Sequence, residues 1–233
     1  MKIVILGPYN SGKSSTVQKI CSGKAISIDY GGTTIALDHC KTTIYGVEVF
    51  LFGTPGLQRF EIIRKILSKG ADGILFVIDS VNVASFDEAK KLLSEIDEIL
   101  PGTPIVLCAN KQDILGAKSP EEVANTVLGS RASSISVIGT SAKTGQSLER
   151  ALGLIVLNAV KHYYPILQAV KKSTGNLKDI VDTMGQEESE ILSQLQFASW
   201  RRLVIADWDN NRYYLAKGVS NIIDILEFGH KQI

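Results

Sequence analysis

Apolar residues in the first two thirds of the chain fall into two alternating patterns. "KIVIL" (2–6), "GILFVID" (73–79), "PIVLCAN" (104–110) and "SISVIGT" (134–140) are short runs rich in β-branched residues that read as buried strands. "TTIALDHCKTTIYG" and "VEVFLFG" alternate apolar and polar positions and predict two strands joined near Gly46. Between these runs the spacing becomes helical. A helix is predicted from Lys13 to about Cys21, and others over "LQRFEIIRKILSKG", "SFDEAKKLLSEIDEIL", "SPEEVANTVLG" and "GQSLERALGLIVLNAVKHYY". Gly70 and Pro101 stop two of them. Ser119, Pro120 and Glu122 form a capping-box start for another. Strands alternating with helices predict a doubly wound, mostly parallel α/β sheet with ligands at the strands' carboxyl ends.

The pattern changes at Tyr164-Pro165. Three short helices ("PILQAVKK", "NLKDIVDTMG", "QEESEILSQLQFASW"), two strands around "WDNN" and a last helix, "VSNIIDILEFG", follow. Helices followed by a hairpin resemble a winged helix-turn-helix module, of small α+β type. The expected division is 1–163 and 164–233. A chain of 233 residues suits that division into one larger and one small domain.

Charge then narrows the partners. The chain has 25 basic and 24 acidic residues, so it has no bulk attraction to nucleic acid or to an acidic membrane. Residues 165–233 carry eight basic and nine acidic side chains, and "QEESE" would open the helix that reads DNA in a winged module. That composition favours protein interaction over DNA binding. Trp200 and Trp208 are expected in the core. The three cysteines, Cys21, Cys40 and Cys108, form no CxxC pair, so no disulfide framework or zinc site is expected, and a reducing cytoplasm is the natural compartment. The chain shows no signal peptide, membrane span, myristoylation glycine or prenylation cysteine, so no direct membrane anchor is expected.

The chemistry sits in the loops. "GPYNSGKSS" follows the first strand and opens a helix, matching G-x-x-x-x-G-K-[ST] at Gly7, Gly12, Lys13 and Ser14. Glycines let the backbone wrap a phosphate chain, and the helix N-terminus adds positive potential. Tyr9, Asn10, Ser11, Gly12, Lys13, Ser14 and Ser15 are the candidate phosphate contacts. Lys13 would sit between the β- and γ-phosphates, and Ser14 would ligand Mg²⁺. "ANKQD" (109–113) ends another strand. The Asp113 carboxylate there would accept from guanine's N1–H and amine, which adenine lacks. Asn110 would tie this loop to the phosphate loop, and the Lys111 stem would lie on the base. In "TSAK" (140–143), Ser141, Ala142 and Lys143 are candidates, with the Ala142 N–H donating to guanine O6.

With these motifs in order, residues 1 to about 162 resemble a Ras-superfamily small GTPase. "NKQD" leans toward the Arf-like branch, and "LFGTPG-x-x-RF" is similar to prokaryotic small GTPases close to the gliding-polarity group, in which Gly stands in an Asp position. The resemblance implies GTP/GDP and Mg²⁺ as cofactors, two switch loops, protein effectors or regulators, and an activating protein in trans. It makes Thr34 (with Thr33 the alternative) the switch threonine that ligands Mg²⁺, and Gly56 the γ-phosphate sensor. Lys13, Thr34 and Gln58 are the candidate catalytic residues. The chain departs from the family pattern at three places. Gly53 cannot hold a water on Mg²⁺, which implies weaker Mg²⁺ dependence. Leu57 replaces the usual water-orienting Gln, with Gln58 one place on. Tyr9, where a small residue is usual, would shield the γ-phosphate, obstruct a partner's arginine finger, or only point to solvent.

Overall fold

The computed structural model describes residues 1–23, 38–54 and 68–229. The elements are β1 (Lys2–Leu6), α1 (Lys13–Ile20), β2 (His39–Ile44), β3 (Val47–Gly53), β4 (Gly73–Asp79), α2 (Phe86–Ile99), β5 (Ile105–Asn110), α3 (Pro120–Leu128), β6 (Ser136–Gly139) and α4 (Leu148–Lys161). There follow α5 (Tyr164–Lys172), α6 (Leu177–Met184), α7 (Glu188–Trp200), β7 (Val204–Asp207), β8 (Arg212–Leu215) and α8 (Val219–Gly229). The helix expected over 57–70 and the start of the strand expected over 33–46 lie largely outside the described residues.

The first six strands form one sheet in the order β2-β3-β1-β4-β5-β6. β1 pairs in parallel with both β3 and β4, and β4–β5 and β5–β6 are parallel as well. This is the α/β fold of P-loop GTPases. Because β1 lies between strands reached in opposite directions, the crevice opens beyond its carboxyl end. The apolar runs become strands because both faces are covered: every residue of β4 and β5 is buried. One face packs Val4, Phe76, Ile78 and Leu107 against Phe86 and Leu93 of α2 and Val123 and Val127 of α3. Each such side chain contributes about 1.5–3 kcal/mol on burial.

Contacts divide the chain into two compact units. One holds Lys2–Thr42 and Val49–Ile155; the other holds Met1, Thr43–Glu48 and Val156–Ile233. In the second, Ile166, Leu167, Ile180, Ile191, Leu195, Tyr213 and Ile222 are buried. Its strands β7 and β8 pair antiparallel, and Asn176, between α5 and α6, makes an isolated antiparallel bridge to Arg212. Gly185 ends α6 in the left-handed conformation, with φ 63°.

Two expectations are corrected. Cys21, at the end of α1, and Cys40, in β2, form a disulfide with their Cα atoms 6.3 Å apart. The fold brings a helix end and an edge strand together there, which residue spacing cannot reveal. Cys108 is free and buried, and burial pushes its thiol up to about 12. The tryptophans are also not core residues: Trp200 is 66% and Trp208 47% exposed. Trp200 ends α7 and sits edge-on to the exposed Phe197, and Trp208 lies in the hairpin turn against Tyr213.

Candidate functional site

The loop from Gly7 to Gly12 leaves the end of β1 and enters α1 under tight constraint. A Cβ on Gly7 would fall 2.0 Å from the Val77 carbonyl oxygen, and one on Gly12 would fall 2.3 Å from Asn110 Nδ2. Gly12 also has φ 99°. Only glycine meets both demands there. Gly12, at the start of α1, makes no side-chain cap hydrogen bond to the first amides of the helix. Asn10 adopts φ 57°, a left-handed turn. Lys13 is buried, and its Nζ donates to the Pro8 carbonyl at 2.7 Å, which curls the lysine over its own loop. Ser14 and Ser15 are exposed in the first turn of α1, and Ser11 is buried. Tyr9 is 61% exposed.

Asn110 joins this loop to the ends of β5 and β6. Its Nδ2 donates to the Ser11 carbonyl at 2.8 Å, and its Oδ1 accepts from the Ala142 N–H at 2.9 Å. All of these groups are buried, where an unmatched amide would cost about 1–3 kcal/mol. The Ala142 N–H, expected to face guanine O6, is thus engaged by Asn110, because a buried amide oxygen requires a donor. Asp113 is exposed, and its Oδ1 accepts from Ser141 Oγ at 2.6 Å. That hydrogen bond, with lesser help from the charges of Lys143 and Lys111, holds the carboxyl below its ordinary value of 3.8. Ser141 Oγ also accepts from the Thr144 N–H at 3.1 Å, so one hydroxyl orders both the carboxylate and the following turn.

Sequence reasoning missed Asp79. At the end of β4 it pairs with Lys111 Nζ at 2.6 Å and accepts from the Val81 N–H at 3.0 Å. The pair fixes the lysine whose stem was expected on the base, at a backbone with φ 68°. The signal was available: a lone carboxylate closing a wholly apolar strand, "GILFVID", is costly unless it has a structural partner. Gln112 Nε2 completes the arrangement, donating to Ser80 Oγ and the Lys118 carbonyl.

The structure therefore gathers Ser11, Lys13, Asn110, Lys111, Asp113, Ser141 and Ala142 through direct hydrogen bonds or adjacent loops at the carboxyl ends of β1, β5 and β6. Thr33, Thr34, Gly56, Leu57 and Gln58 lie outside the described residues. Among the described residues no cluster of three or more His, Cys, Asp or Glu is placed to hold a metal ion, and no helix is long and apolar enough to cross a membrane.

Comparison with known proteins agrees with this geometry. The Ras family model matches residues 2–161. The chain belongs to the Ras family. Ras-related protein Rab-40B of Homo sapiens is 35% identical over 118 residues, covering 48% of this chain and 41% of that protein. The uncharacterized protein MJ1339 of Methanocaldococcus jannaschii is 32% identical over 115 residues, covering 49% of this chain and 71% of that protein. ADP-ribosylation factor-like protein 2 of Arabidopsis thaliana is 28% identical over 170 residues, covering 70% and 90%. The chain thus covers less than half the length of Rab-40B. The Ras family comprises small GTP-binding switches, and its match stops before α5.

Proposed function

We propose that this Ras-family chain binds GTP and GDP as a regulatory switch, hydrolyses GTP slowly by itself, and signals through protein effectors. The observation that carries the reading is the Asn110 clamp. One side chain fastens the phosphate loop, through Ser11, to the Asp113–Ser141 loops. That arrangement would hold a phosphate cradle and a guanine-selective carboxylate as one unit. Asp113 would accept from the guanine N1–H and amine, and Lys13 would leave the Pro8 carbonyl for the β- and γ-phosphates.

The donor set fits Mg²⁺, a hard cation that takes oxygen ligands. The Ser14 hydroxyl at the start of α1 would hold it, with Thr34 as a second candidate. When bound, the ion neutralises charge on the phosphate oxygens. Slow hydrolysis follows from Leu57, which has no group to orient an attacking water. The same residue supports a second reading, a scaffold that holds nucleotide without turnover. A cytoplasmic location and an activating protein in trans belong to the first reading. For the C-terminal unit, the order helix, Asn176 bridge, two helices and hairpin supports a winged-helix-like module that contacts protein.

The test is competition and turnover in one preparation. GTP should displace a fluorescent GDP analogue while ATP does not. Equal competition by ATP would remove the guanine assignment. Single-turnover hydrolysis should run at about 10⁻⁴ s⁻¹ or less and rise in Leu57→Gln with GTP affinity held within about tenfold. A slow rate that Leu57→Gln leaves unchanged favours the scaffold. If Gln58→Ala instead abolishes the rate, Gln58 is the working glutamine.

A further inference from the structure

Gly53 closes β3 where the family pattern has a carboxylate. A Cβ placed on Gly53 would meet Val17 Cγ2 at 3.2 Å, the Asp38 carbonyl oxygen at 3.4 Å and Asp38 Cβ at 3.5 Å. The side chain of Asp38 therefore starts in van der Waals contact with the point where an aspartate side chain on residue 53 would start. The two backbones are joined there, since the Gly53 N–H donates to the Asp38 carbonyl at 2.7 Å. Asp38 is only 1% exposed. Val17 lies one helical turn beyond Ser14 on α1, so the space around this point borders the helix whose first turn carries the candidate Mg²⁺ ligand.

Burying a carboxylate is expensive unless donors or a cation accompany it. The sequence puts the Asp38 carboxylate, which has interactions of its own, next to this glycine and one residue before the edge strand β2. We propose that Asp38 supplies from the neighbouring strand the carboxylate that Gly53 lacks, holding water on the divalent cation bound by Ser14 and the nucleotide phosphates. The inference rests on the guanine-nucleotide reading above. Gly53 then has a reason of its own. A second carboxylate on residue 53 would crowd Asp38 and set two like charges side by side, which disfavours ionisation of both. The charge has moved one strand over, and Mg²⁺ dependence is kept rather than weakened. Asp38 is a positioning residue, because it acts on the ion through water.

The experiment follows release of a fluorescent GDP analogue as a function of Mg²⁺ concentration. In Asp38→Asn the concentration that half-retains nucleotide should rise by about 10–100-fold, the usual loss for an outer-sphere partner of a metal, while release in excess chelator stays within about twofold of wild type. Asp38→Asn combined with Gly53→Asp should bring the midpoint back toward wild type, because the carboxylate returns on the adjacent strand. An unchanged midpoint in Asp38→Asn, or no recovery in the double variant, overturns the proposal. Should Asp38→Asn fail to fold, Asp38→Ser with Gly53→Asp replaces it. That protein should show a wild-type increase in melting temperature on adding Mg²⁺ to its GDP complex, and loss of the increase overturns the proposal. Wild-type protein that binds GDP but ignores Mg²⁺ sinks this inference alone. Wild-type protein that binds no guanine nucleotide sinks the functional reading with it.

Discussion

Asp113 and Ser141 show how one hydrogen bond sets a site's working range. Partial desolvation works against the charge, but the Ser141 hydroxyl outweighs it and is the main reason the carboxyl titrates below 3.8. A depressed carboxyl stays ionised above its ordinary value and is lost only as pH falls through the lower one. Removing the hydroxyl in Ser141→Ala should therefore raise the Asp113 titration toward 3.8, read as the midpoint of its side-chain carbon resonance by NMR. An unchanged midpoint would show that the lysines, not the serine, hold the charge. At neutral pH both proteins carry the same carboxylate, so guanine preference should survive the change. Asp113→Asn differs in kind: an amide offers one acceptor and one donor, so preference should move from guanine toward xanthine. A competition titration with xanthosine and guanosine triphosphates checks it, and unaltered guanine preference would take the base contact away from Asp113.

Two helix starts in this chain contrast, that of α3 with a side-chain cap and that of α1 without one. α3 begins with a complete capping box: Ser119 Oγ accepts from the Glu122 N–H at 3.2 Å, and Glu122 Oε2 accepts from the Ser119 N–H at 2.8 Å. The Ser119 amide, assisted by Lys118, lowers Glu122 from 4.5 to about 2. The contribution of that box is thus complete above 4.5 and is lost as pH falls through about 2. Ser119→Ala should cost about 1 kcal/mol by denaturant titration at neutral pH, the ordinary loss for a cap. A loss near zero would mean the box does not hold this helix. α1 has no such cap, and its first turn belongs to the phosphate loop. Both starts were legible in sequence, because capping residues and phosphate-loop glycines occupy fixed local offsets. So were most strands, since period and β-branching are local too. What was not legible depends on elements meeting across the fold. The Cys21–Cys40 disulfide, the Asp79–Lys111 pair and the approach of Asp38 to Gly53 each join residues whose separation in sequence carries no information. Trp200 and Trp208 were misplaced because residue type was weighed without the face and the turn on which they sit.

At the scale of the whole molecule, the question is what the unit beyond the Ras-family match meets. Its element order invites comparison with DNA readers, in which the third helix enters the major groove and the protein neutralises backbone phosphates. Here that helix is α7, and its first turn carries Glu188 and Glu190 after Glu187 at the cap. Carboxylates at a helix N-terminus offset the positive end of the dipole that would otherwise attract phosphate. The rest of the unit does not compensate, with eight basic against nine acidic side chains over 165–233. It also exposes large apolar side chains, Trp200 and Phe228 at 66% and Ile205 at 59%. Aromatic and aliphatic side chains of that size suit the core of a protein interface rather than a phosphate backbone. The full chain, loaded with either GDP or a non-hydrolysable GTP analogue, should therefore leave duplex DNA unshifted at about 10 μM protein and about 50 mM salt, conditions under which even non-specific binders retard it. A shift that weakens steeply as salt rises, with a slope reporting several neutralised phosphates, would overturn the protein-contact reading. A shift seen in only one nucleotide state would go further and make the switch a gate on DNA binding.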